Sequence, residues 1–172
     1  MQENLHQHYM AMALRQARMA AEDGEVPTGC VIVHRDPASG HARLVGAAHN
    51  QTERLRDPTA HAEMIAITQA ANALGDWRLL DTVLYVTKEP CAMCAGAIVL
   101  ARVPLVVYGV PDPRRGGISV FNLLDRPELN HRSATLGGVL ADECRTLLQG
   151  FFSDRRDGGG YPAGGSATVS NQ

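Results

Sequence analysis

Two short segments carry side chains whose types and spacing suit metal-assisted hydrolysis. One is His61-Ala62-Glu63 and the other is Pro90-Cys91-Ala92-Met93-Cys94. Cys91 and Cys94 are three residues apart, which puts two thiols on one face of a helix. Zinc takes thiolate at about 2.3 Å and imidazole at about 2.1 Å. A helix N-terminus also favours the ionised thiolate. Three protein ligands, His61, Cys91 and Cys94, with a fourth position open make the pattern of a catalytic zinc, one Zn²⁺ per chain. Such an ion lowers the pKa of its water from about 16 towards about 7, so that hydroxide is available at neutral pH. Glu63 is then the proton carrier rather than a ligand, moving a proton from that water to the substrate ring and leaving group.

The bland reading of these residues has weight. A lone C-x-x-C is weak, because pairs of cysteines on an apolar face are common in cores. A closed structural zinc needs a fourth ligand, and the remaining thiols are Cys30 and Cys144. Cys30 lies among apolar residues and Cys144 in an amphipathic segment, so both read better as core cysteines. The full combination, H-x-E followed by P-C-x-x-C, is far more specific and is the signature of zinc nucleobase deaminases.

The elements that must position these groups are legible from periodicity. Residues 5–21 have helical spacing, with Leu5, Tyr9, Met12 or Ala13, and Met19 on the expected apolar face. Residues 29–33 and 43–48 read as two strands of a hairpin around the turn chemistry of residues 36–40. Thr59 is the expected N-cap of a helix over 60–73. That placement lets His61 and Glu63, two apart, both reach over a first turn. Residues 82–87 form the clearest strand, Glu89-Pro90 stops it, Pro90 sits where a helix could begin, and a helix is expected over 91–101. Residues 104–110 form the next strand, so strand–helix–strand implies a parallel pair. A short helical piece near 120–124, a weak strand near 134–140 and a helix over 141–153 complete the order. The expected fold is α/β, a three-layer α/β/α sandwich around a mixed five-stranded sheet. Residues 1–156 form one domain and 157–172 a Gly-rich tail with no apolar period, expected to be disordered.

Composition excludes several classes. The 172 residues are 45% hydrophobic and 20% charged, ordinary for one globular domain. Sixteen basic against eighteen acidic residues give a net charge of −2, which excludes a strongly basic nucleic-acid coat. Fifteen of the basic residues are Arg and only Lys88 is Lys, which reads as codon bias. Residues 102–156 carry eight basic and six acidic groups, a small positive balance. No apolar run approaches the roughly 18 residues of a membrane span. The first residues lack the basic and apolar regions of a secretory signal, and four cysteines fit a reducing compartment, so the expected location is cytoplasmic.

Asp57-Pro58-Thr59-Ala60-His61-Ala62-Glu63 and residues 84–97 around Pro90-Cys91-Ala92-Met93-Cys94 resemble the bacterial tRNA adenosine deaminases, in the cytidine deaminase-like superfamily. Glu25-Val26-Pro27-Thr28-Gly29 is similar to that family's opening strand. Pro127, Asn130-His131-Arg132, Leu140-Ala141-Asp142-Glu143-Cys144 and Phe151-Phe152 are similar to its C-terminal third. The resemblance spans roughly residues 5–156. It implies hydrolytic deamination of the wobble adenosine of a tRNA anticodon to inosine. It also implies zinc on His61, Cys91 and Cys94, Glu63 as proton shuttle, and a homodimer whose tRNA site draws on both chains. By the same resemblance Asn50 binds the flipped purine and Asp112 contacts the anticodon backbone; their bland readings are a strand-ending turn residue and Asp-Pro turn chemistry. The loop 114–119 is one residue shorter than the family's, and the hairpin loop 36–41 is longer. The alternative is a free purine or nucleoside deaminase such as guanine deaminase. A non-catalytic RNA-binding subunit is disfavoured by the presence of Glu63.

Overall fold

The computed structural model describes residues 2–157. In chain order the elements are α1 (Gln2–Glu22), β1 (Gly29–Arg35), β2 (Ala42–His49), α2 (Thr52–Leu55) and α3 (Ala62–Leu74). They continue with β3 (Thr82–Lys88), α4 (Ala92–Leu100), β4 (Leu105–Val110), a 3₁₀ turn at Leu123–Asp125, β5 (Ala134–Gly137) and α5 (Ala141–Asp157). The strands form one sheet in the order β2-β1-β3-β4-β5. β1 pairs antiparallel with both β2 and β3, whereas β3–β4 and β4–β5 are parallel. The mixed five-stranded sheet is therefore as expected, including the parallel pair joined through α4.

Successive strand residues point to opposite faces, and both faces are covered. Ile32, Leu84 and Val106 pack with Ala62, Ala66 and Ile98 from α3 and α4. Val31, Tyr85 and Val107 pack with Met10, Ala13 and Leu14 of α1 and with Cys144 of α5. This is the three-layer α/β/α arrangement. Among the described residues no helix is long and apolar enough to cross a membrane.

The buried stripe of α1 differs in part from the expected one: Ala13 belongs to it, and Tyr9 and Met12 pack against it partly buried. It consists of Met10, Ala13, Leu14, Ala17 and Ala20, while Met19 is exposed. The cause is close approach. A Cβ on Gly29 of β1 would strike the Ala13 carbonyl and the Ala17 amide, so the helix backbone lies directly on the strand. Ala13 and Ala17 are small enough to permit that contact, while Met10 and Leu14 pack in the same cluster.

Two helix starts are also corrected. α3 begins at Ala62 with His61 as its N-cap, not at Ala60 with Thr59 as its cap. The Thr59 hydroxyl instead donates to Asp57 Oδ1 at 2.7 Å. α4 begins at Ala92 with Cys91 as N-cap, so Pro90 precedes the helix. The Pro90 carbonyl accepts from Gly117 N at 2.7 Å. α2 was not expected, since its four residues lie in a polar stretch without apolar period. α5 continues through Asp157, beyond the expected end at 153. The expected tail otherwise lies outside the described residues.

Candidate active site

The N-termini of α3 and α4 face one another at the end of the sheet where β3 finishes. His61 (φ −76°, ψ 153°) and Cys91 (φ −71°, ψ 174°) are the two N-cap residues, and neither side chain caps its own helix. Extended backbone at these positions turns both side chains away from their helices and towards each other. His61 Nδ1 lies 3.6 Å from Cys91 Sγ and 3.4 Å from Cys94 Sγ. All three donor atoms fall within 4.8 Å of one another. A tetrahedral ion with bonds of about 2.3 Å to sulfur and about 2.1 Å to nitrogen requires N···S edges of about 3.6 Å. The donor set and its spacing therefore fit zinc.

The electrostatics of the cluster are those of ligands sharing protons. A hydrogen bond from the Cys94 thiol draws the Cys91 thiol well below its ordinary range, against burial and with help from His61. The same contact raises Cys94, and burial and the Glu63 carboxylate raise it further. Contact with Cys91 raises His61, against burial and with a contribution from Glu63. A metal must displace these protons to bind, so its affinity rises with pH. Cys30 and Cys144 are not part of the group: both are buried in the core. Burial pushes the Cys30 thiol up and the Cys144 thiol up to about 12. Among the described residues no fourth His, Cys or carboxylate joins the group.

Glu63 follows in the first turn of α3 and is 3% exposed. Burial pushes its carboxyl up. Its Oε2 is buried and has no hydrogen-bond partner among the described residues. A lone buried carboxylate oxygen is costly, and beside a donor cluster it marks a place for a polar guest. Glu63, His61, Cys91, Asn50 and Asp112 all line one cleft of about 330 Å³. Cys94 is fully buried.

Asn50 is buried at the end of β2. Its Oδ1 accepts from Ala62 N at 2.9 Å, so it caps α3 from twelve residues away while lining the cleft. Asp112 likewise makes its turn: Oδ1 accepts from the N–H groups of Arg114 and Arg115, at 3.1 Å each. Its Oδ2 lies 2.6 Å from Lys88 Nζ. Burial pushes the Asp112 carboxyl up, but Lys88 and the two N–H groups together hold it below the usual carboxylate range.

Two residues that shape the cleft carry no motif. Glu89, expected only to stop a strand, is 3% exposed. Its Oε2 accepts from Asp112 N at 2.7 Å and from Ser119 Oγ at 2.9 Å. Its Oε1 accepts from Ile118 N at 3.0 Å and Ser119 N at 2.6 Å. One carboxylate thus ties both ends of the 112–119 loop to the strand that leads to Cys91. Gly116 is required there, since a Cβ would meet that carboxylate. On the other wall Glu25, 1% exposed, accepts from Thr52 Oγ1 and Arg54 N and fixes α2. Both lie in segments that carry the family resemblance, but nothing in the sequence alone showed which donors they would bind.

A mixed sheet with a His-Cys-Cys group between two helix N-termini defines the class of cytidine deaminase-like zinc deaminases. The sequence model of the cytidine and deoxycytidylate deaminase zinc-binding region matches residues 3–110. The chain is 45% identical over 150 residues to a tRNA-specific adenosine deaminase of Bacillus subtilis, covering 86% of this chain and 89% of the relative. A solved structure from studies of A-to-I editing by tRNA:A34 deaminases superposes with a TM-score of 0.75 at 40% identity, covering 82% of this chain and 99% of that one. Guanine deaminase from Bacillus subtilis shares the fold at a TM-score of 0.55 and 28% identity, covering 90% and 96%. Within that class, the chain belongs to the tRNA-specific adenosine deaminase family.

Proposed function

We propose that this protein hydrolytically deaminates adenosine to inosine at the wobble position of a tRNA anticodon. The observation that carries the reading is the partnerless Glu63 oxygen in a cleft shared with the His61–Cys91–Cys94 group. In this reading His61, Cys91 and Cys94 hold one zinc ion per chain. Zinc, when bound there, supplies the Lewis acidity that makes water a nucleophile at neutral pH. Glu63 accepts a proton from the attacking water, returns it to the purine ring, and passes a proton to the departing amino group. Adenosine and water give inosine and ammonia. Burial keeps the Glu63 carboxyl basic enough to take the proton and able to give it back.

The cleft volume, about 330 Å³, is at the small end of ligand pockets, which run from about 300 Å³ upward. It accommodates one nucleoside, so a single base must leave the stack to enter, as single-stranded loop bases do at least cost. Asn50, fixed by its bond to Ala62 N, orients the purine. The substrate is the anticodon stem-loop, with Asp112 at the RNA-facing side of the cleft. The protein works in the cytoplasm as a homodimer, in keeping with the family. Identity to the tRNA:A34 deaminase structure against the Bacillus subtilis guanine deaminase structure, 40% against 28%, favours tRNA over a free purine. Turnover on a stem-loop with wobble adenosine, compared with free adenosine and free guanine, tests the reading. Efficient turnover of a free base with none on the stem-loop contradicts it.

A further inference from the structure

Lys88 is the chain's only lysine, and it stands in the cleft. It is the last residue of β3, held in register opposite Val110 of β4. Its side chain is 27% exposed and that of Asp112 is 11% exposed. The 2.6 Å pair between them leaves Asp112 one unused acceptor site, on Oδ2. One of its oxygens holds the ammonium and the other holds two backbone N–H groups. The ammonium is not so committed: it has three N–H donors, and Asp112 takes one.

We propose that Lys88 is a specificity-determining residue that binds the RNA phosphate flanking the deaminated nucleoside, with Asp112 as its positioning partner. The inference rests on the tRNA reading above. A neutral purine offers an ammonium no charge, whereas a phosphodiester offers a charge-assisted bond. The cleft admits one nucleoside, so the phosphates on either side of it must lie along the rim. Arg115, the other cation lining the cleft, sits on an exposed loop position, so its side chain has rotamers to lose on binding. Lys88 is already oriented by Asp112 and by its strand, so little further ordering is required of it on binding. Asp112 in turn is fixed by its N–H bond to Glu89 and its own turn. The carboxylate therefore aims the cation, and its remaining Oδ2 acceptor site is left for the RNA backbone.

The test uses full-length protein, an anticodon stem-loop with wobble adenosine, and the same stem-loop with uncharged methylphosphonate linkages flanking that adenosine. Lys88→Met should weaken binding of the natural stem-loop by about tenfold, as expected for loss of a charged hydrogen bond. It should reduce the slope of log K against log salt by about 0.7, one phosphate's worth on a single strand. KM should rise by more than kcat falls, zinc content should match the wild type, and Lys88→Arg should restore most of the affinity. The neutral linkages should weaken the wild type but leave Lys88→Met little changed. An unmoved salt slope, or equal sensitivity of the variant and the wild type to the neutral linkages, overturns the assignment of Lys88 while leaving the deaminase reading intact. Wild-type protein that forms no inosine in the natural stem-loop overturns both.

Discussion

His61 and Cys91 hold the same position on two different helices: each is an N-cap, and their donor atoms stand 3.6 Å apart. The symmetry explains how residues thirty apart in sequence meet. An N-cap keeps extended backbone, so its side chain is free of the helix it precedes. Neither residue uses that freedom to cap its own helix; Asn50 takes over that task for α3. Both helix dipoles then point their positive ends at the cluster, which favours thiolate ligands.

The metal should depend on three residues and no others. Cys91→Ala or His61→Ala should abolish stoichiometric zinc, measured by elemental analysis of purified protein. Cys30→Ala should keep it at about one ion per chain, since Cys30 sits in the core. It should lower stability only by about 1 kcal/mol, for a small lost group. Zinc loss in the Cys30 variant would show a fourth ligand and a closed structural site.

Glu63 should separate catalysis from stability. Glu63→Gln should retain zinc and lose turnover by about 10²–10⁴-fold, the range for a general acid–base group. Its melting temperature should equal or exceed that of the wild type, because the carboxylate oxygen it replaces is buried without a partner among the described residues. A marked fall in melting temperature would make Glu63 a structural residue.

Glu89 should behave in the opposite way. Glu89→Gln sets an amide N–H₂ against backbone donors and leaves at least one of them unsatisfied. A cost of about 1–3 kcal/mol is expected in denaturant unfolding. Turnover on the stem-loop should fall with zinc retained, because the 112–119 loop loses its anchor. Wild-type stability in this variant would contradict the role given to its four hydrogen bonds.

Asp112 should show its role through pH. Its folded pKa is depressed, so its contribution is complete above the unfolded value of about 3.9 and is lost as pH falls through the lower folded value. Asp112→Asn should therefore melt below the wild type by a constant margin between about pH 5 and 7. That margin should narrow below about pH 4. A gap that widens on acidification would mean that the carboxyl is raised, not lowered.

Much of this was legible because local pattern and tertiary outcome agree. The runs that became β3 and β4 are apolar enough to be buried on both faces, and the H-x-E and C-x-x-C spacings mark the cluster at once. What was hidden depends on distant partners. α3 starts two residues late because its cap, Asn50, arrives from β2 rather than from the neighbouring Thr59. Where α1 crosses Gly29 the contact requires small residues, Ala13 and Ala17, which the period alone does not specify. Glu89 resembles any charged residue that ends a strand until its four donors are assembled around it. Lys88 stands out by count alone in the sequence; its pairing with Asp112 beside the ends of β3 and β4 is what gives it meaning.

The most direct measurement is nucleoside analysis of a transcribed tRNA bearing adenosine at the wobble position, after incubation with zinc-loaded protein. The account predicts inosine at that nucleotide and no other, dependent on Glu63, with little product from free adenosine or free guanine. Wobble adenosine left intact by protein that deaminates a free purine would contradict it.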